Sequence, residues 1–196
     1  MNIINHSSSV ALTSMSYKYY GLVSVALLLT GLWFVVWQWP QGKHMTFSQH
    51  VARHKSATIY YFFLFAATLP LLNIFFISWF VPHFQLSLWF TVFAVAASLL
   101  QIACTVIPEL PGWRTAWHQA LAGASALLLL PLPGMLACSS HVPTVGRLLA
   151  GFALLTMMGI VASAIRANAK HTQNILVAQV VYFAAFFEPI LFISYL

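Results

Sequence analysis

The chain has 196 residues, 61% of them hydrophobic and only 5% charged, with no aspartate, two glutamates and a net charge of +6. A soluble domain carries about 25% charged residues, so this composition excludes one and indicates an integral membrane protein. The basic residues lie in short loops beside apolar runs, where they serve as topology signals and lipid contacts, so no nucleic-acid partner is expected.

Apolar runs bounded by Pro, Gly or charge predict an all-α, six-helix transmembrane bundle that occupies residues 1–196 as a single domain. The expected spans are 20–39, 57–80, 87–107, 115–132, 144–164 and 174–196, after a polar tail at 1–17. The fourth is expected to end where Pro131, Pro133 and Gly134 interrupt it. Tyr19, Tyr20, Trp37, Trp39, Trp79, Trp89, Trp113 and Trp117 fall near span ends, as an aromatic belt requires. Lys43, Arg53, Lys55, Arg114, Arg166 and Lys170 collect on one face, against Lys18 and Arg147 on the other. The positive-inside rule then puts the loops after spans one, three and five in the cytoplasm and both termini outside. The expected location is a bacterial inner membrane, with membrane lipids as partners and the oligomeric state open.

Small residues at four-residue spacing (Ala116, Ala120 and Ala124; Gly159 with Ser163) suit close helix approach. Cys104 and Cys138 fall toward opposite faces, too far apart for a disulfide, and neither has a metal-ligand spacing.

Polar groups can be placed by depth. Glu188 lies about 21 Å into span six and Asn73 about 24 Å into span two, each near a proline (Pro189 and Pro70) that leaves a carbonyl without its helical partner. These two residues are expected to line an outer-leaflet polar pocket around a protonatable intramembrane glutamate, with interhelical glue as the alternative role. Of the two acids, Glu188 is expected to matter more for stability.

Nearer the cytoplasmic face, Gln101 and Gln179 form a second polar layer, about 8–9 Å from the inner boundary. Glu109, Arg114 and His118 gather beside it, with Arg114 and His118 at i and i+4. That set suits a headgroup clamp or an acid/base pair; a tight-turn clasp is the commoner role for such residues. His44, His50 and His54 are weak metal candidates, since two imidazoles at i and i+4 can share an ion. Arg53 and Lys55 would repel a cation there, so the reading is no metal and no cofactor.

Absences narrow the field further. No span carries the lysine a retinal protein needs, His118 is the only histidine within a span, and ceramidase-type zinc hydrolases require an aspartate. The segments Thr46-Phe47-Ser48-Gln49-His50 and Ile107-Pro108-Glu109, with His118 before an alanine-rich helix, resemble the DRAM and FRAG-like six-helix membrane proteins, above all their bacterial members of unknown function. The six-span layout matches across nearly the whole chain; the motifs match only in these short segments. The resemblance implies that Glu109 and His118 are shared functional positions, and it tilts the function toward lipid handling, with which the eukaryotic members are linked. An acid expected in the first loop is Gln49 or His50 here.

The leading expectation is a non-enzymatic protein that binds or transports a lipid or amphipathic small molecule. Its ligand residues would be Glu188, Asn73, Arg114, His118, Gln101 and Gln179. The first rival is a membrane-embedded lipid-modifying enzyme, with His118 as general base oriented by Glu109. The second is a structural subunit or assembly factor.

Overall fold

The computed structural model describes residues 4–42, 44–166 and 174–195, with side chains from residue 16 onward. It is all-α, and six helices are long and apolar enough to cross a membrane. Lys43 and Lys170 of the basic face lie outside the described residues.

Helix α1 (Ile4–Gln38) runs through the stretch expected to be a tail. Residues 4–20 contain neither Gly nor Pro, so nothing in the sequence breaks the helix before the apolar span begins. At 1.5 Å per residue it is about 50 Å long, well beyond the roughly 30 Å hydrocarbon core. It stops just before Trp39-Pro40, where the residue preceding proline is driven out of the helical region. A short helix α2 (Phe47–Ala52) follows in the first loop.

Helix α3 (Lys55–Phe75) continues through one wide turn at Phe76–Phe80 and a last turn at Val81–His83. Such a turn inserts a residue into the helical register. Phe75, Phe76, Trp79 and Phe80 are all buried as a result, packed with Phe84 and Phe90 at centroid separations such as 5.3 Å for Phe75–Phe80 and 5.4 Å for Phe76–Phe90. Trp79 therefore belongs to the core, not to the aromatic belt; Trp37, Trp89, Trp113 and Trp117 are exposed as a belt requires.

Helices α1 and α3 approach closely. A Cβ added at Gly21 would stand 2.8 Å from the Phe75 ring, and one at Gly31 would strike Leu64. Ser24 donates to the Thr68 carbonyl at 2.7 Å across the same contact. The small residues singled out by spacing play a different part. Ala116 and Ala120 are exposed, and a Cβ added at Gly159 would meet nothing within 4 Å.

Helix α4 (Leu88–Val106) packs on α3 and on α5 (Trp113–Leu129). The prolines expected to end the fourth span bend it instead. Leu130 keeps helical dihedrals (φ −56°, ψ −43°), and α6 (Pro131–Cys138) carries the span on to Cys138. Two missing amides free the carbonyls of Leu127 and Leu129, which loosens the joint without breaking it. Helix α6 packs along α7 (Thr144–Arg166), and α7 along α8 (Ile175–Tyr195). Ile193 of α8 occupies the space a side chain at Gly146 would need. Tyr195 links α8 to α1 by donating to the Lys18 carbonyl and accepting from the Leu22 amide at 3.0 Å. Residues of α5, α7 and α8 line a common cavity. Both cysteines are free thiols.

Candidate functional site: a carboxylate-floored cavity

The floor of that cavity is assembled from the first loop, the 107–112 connection and the beginnings of α5 and α8. Thr46 caps α2 reciprocally: its hydroxyl accepts from the Gln49 amide at 3.1 Å, while the Gln49 side-chain oxygen accepts from the Thr46 amide at 3.0 Å. This pattern uses two orphan donors of the helix start, and it turns the Gln49 side-chain nitrogen toward Glu109. Gln49 donates to Glu109 Oε1 at 3.0 Å and Gln119 donates to the same oxygen at 3.3 Å. Thr46 and Ser48 donate to Oε2 at 2.8 and 2.6 Å. The two hydroxyls also stand 2.8 Å apart, so either can donate to the other instead, which leaves Oε2 a lone pair. Phe47 of the same short helix donates its amide to the Gln179 side-chain oxygen at 3.1 Å, tying the first loop to the start of α8.

Glu109 can reach this network because Pro108 and Pro111 hold its connection out of a helix, and Gly112 (φ +107°) turns the chain into α5. Glu109 is 8% exposed and His118 5%. His118 Nδ1 lies 2.7 Å from the Ile107 carbonyl, so Nδ1 carries the hydrogen and Nε2 is left facing Glu109, 3.8 Å from Oε2. Cys104 Sγ stands 3.3 Å from Nε2 and 3.4 Å from Nδ1. Near-equal distances to both nitrogens place the sulfur over the ring face, because an in-plane position would collide with the carbon between them. The thiol also lies 3.5 Å from the His118 carbonyl. Cys104 therefore supports the ring from below and is not in line with a nitrogen lone pair.

Above this floor lies a cavity of about 1060 Å³. Gln101, Gln179, Gln119 and Tyr61 join Glu109 and His118 at its polar end. Ala122, Ala126, Leu129, Ile160, Val161 and Phe183 form apolar walls. Gly123 and Gly159 also line it, each with open space where a side chain would begin. At the far end the Tyr182 hydroxyl donates to the Ala126 carbonyl at 2.5 Å, bridging α8 and α5 near the bend.

Of the residues anticipated from sequence, Glu109, His118, Gln101 and Gln179 converge on this cavity, with exposed His44 at its rim. Arg114 does not join them; it is exposed, with its guanidinium 5.7 Å from the Trp113 ring. The Glu188–Asn73 pocket is corrected. Glu188 sits on the exposed side of α8, with no hydrogen-bond or ion-pair partner among the described residues, while Asn73 is half-buried and accepts from Ser98 at 3.4 Å. Neither lines the cavity. The paired histidines also separate, because α2 ends at Ala52 and puts His54 beyond the helix. His50 is buried, its Nδ1 2.9 Å from the Trp39 carbonyl and 3.0 Å from the Gln41 amide, while His54 is exposed. Among the described residues no group of three His, Cys, Asp or Glu side chains could hold a metal ion.

Sequence reasoning did not identify Ser48, Gln119, Cys104 or Tyr61 as site residues. It placed Thr46, Ser48 and Gln49 only within a family-like segment. Their T-x-x-Q spacing is itself a capping signature, and it was the available signal that α2 forms and aims Gln49. No protein-family model, no curated protein and no solved structure matches this chain.

Proposed function

We propose that this protein binds a lipid or amphipathic small molecule in the cavity between α5 and the α7–α8 pair. The observation that carries the reading is the cavity itself: about 1060 Å³, polar at one end and with largely apolar walls interrupted by Ser125, Thr156 and Ser163. Its volume lies at the top of the range for drug-sized ligand sites, enough for a head and a chain. The resemblance to DRAM and FRAG-like proteins supports lipid handling, since its three segments meet at one carboxyl group (residues 46–50, 107–109 and His118). Arg53, Lys55, Arg114 and Arg166, with Lys43 and Lys170, favour a cytoplasmic floor in a bacterial inner membrane. A catalytic role for Glu109 and His118 has less support, because the nearest thiol lies over the imidazole face and not in line for proton transfer.

Photocrosslinking tests the proposal. An alkyl-diazirine amphiphile added to membranes should give adducts mapping to residues 122–129 and 156–164. Adducts confined to the outward-facing Leu148, Phe152 and Leu155 would contradict it.

A further inference from the structure

The floor of the cavity carries information about the head of its occupant, an inference that rests on the binding reading above. Two acceptors converge there, Glu109 Oε2 and His118 Nε2, 3.8 Å apart. A single nitrogen placed between them can sit at ordinary hydrogen-bond distance from both. The Ile107 carbonyl fixes which imidazole nitrogen is presented, and the four donors around Glu109 fix where its oxygens lie. Cys104, under the ring, keeps His118 from tilting away.

The charges around this pair point the same way. No lysine or arginine lines the cavity among the described residues, and Arg114 is turned outward over Trp113. One feature opposes: the first turn of α8, with Ile175 and Ala178, brings a helix N-terminus to the lining. A helix end is worth only roughly half an elementary charge, and Gln179 in the following turn already accepts from the Phe47 amide. An anionic head would bring further acceptors to Glu109 Oε2 and His118 Nε2, whereas an ammonium offers each of them a donor.

We propose that the cavity selects an amphiphilic amine, read by Glu109 and His118 together. The chain occupies the apolar walls, and the nitrogen bridges Oε2 and Nε2.

Chain-matched probes test this directly. Protein in neutral maltoside micelles would be titrated with dodecylamine, dodecanol and dodecanoate and followed by native mass spectrometry. Dodecylamine should bind at least tenfold more tightly than dodecanoate, with dodecanol between them. In Glu109→Gln the gap should collapse, and in His118→Gln amine affinity should fall while that of dodecanol holds. Dodecanoate binding as tightly as dodecylamine to the wild-type protein would overturn the inference without any variant. Gly123→Leu, which fills the cavity one helical turn beyond the floor residue Gln119, separates the amine inference from the binding reading. If it excludes all three probes although wild type does not distinguish them, the amine inference falls and the binding reading stands. If it excludes none, both fall.

Discussion

Glu109 illustrates how a carboxyl group can be placed by its neighbours. Removing the acceptor in Glu109→Ala strands the buried hydroxyls of Thr46 and Ser48 and the half-buried amide of Gln49, while exposed Gln119 can turn to solvent; each buried polar group left without a partner costs about 1–3 kcal/mol. With the two hydroxyls reorienting, a net loss of about 2 kcal/mol is expected. Glu109→Gln keeps one oxygen for the amide donors, and the Thr46 and Ser48 hydroxyls can accept from its new amide, so a loss of about 1 kcal/mol is expected. Glu188→Gln changes an exposed group and should stay within about 0.5 kcal/mol. Reversible unfolding in mixed micelles would rank the three; equal stability of Glu109→Ala and wild type would refute the clasp. This order reverses the one suggested by depth alone. Sequence position shows how far along α8 Glu188 lies, but that helix is apolar all round, so nothing in the sequence says which way residue 188 faces.

At the scale of the element, the bend at Leu130–Pro131 and the glycines below it decide where the cavity lies. Two kinds of glycine are present, and they should respond oppositely to added bulk. Gly21→Leu drives a side chain into the Phe75 ring at the α1–α3 contact, and overpacking of this kind costs typically 1–3 kcal/mol. Gly123→Leu and Gly159→Leu meet open space, and they also relieve the roughly 1 kcal/mol penalty of glycine within a helix. They should therefore leave the melting temperature unchanged or raised, while Gly21→Leu lowers it; a thermal-shift comparison of the three checks the assignment. The sequence indicated a bundle from the four-residue spacing of small residues. Spacing identifies a stripe along a helix but not its neighbour: the Ala116–Ala120 stripe turned out to be exposed, and Gly21 and Gly31, less regularly spaced, make the close contact. The prolines misled for a related reason. They remove amides, but a span held along α7 can bend at them and continue.

At the scale of the whole molecule, most of the architecture was legible. Six apolar runs, their order and nearly all their boundaries follow from hydropathy and punctuation, because a bilayer demands about 20 apolar residues per crossing. The site was legible in part. Glu109, His118, Gln101 and Gln179 could be picked out as polar groups near one face, but their convergence depends on α2 folding back under the bundle. Sidedness has a built-in reporter: Cys138 is exposed at the end of α6, whereas Cys104 is buried. If the basic loops are cytoplasmic, a membrane-impermeant maleimide added outside spheroplasts should label Cys138 and not Cys104. Labelling only after lysis would invert the orientation. The central claim is that the space between α5 and the α7–α8 pair holds an amphiphile. It is tested most directly by native mass spectrometry of gently purified wild-type protein beside the Gly123→Leu/Gly159→Leu double variant. A bound amphiphile retained by wild type and lost from the folded variant is the result the account predicts. Equal occupancy of the two proteins, or a wild-type protein that carries nothing, would contradict it.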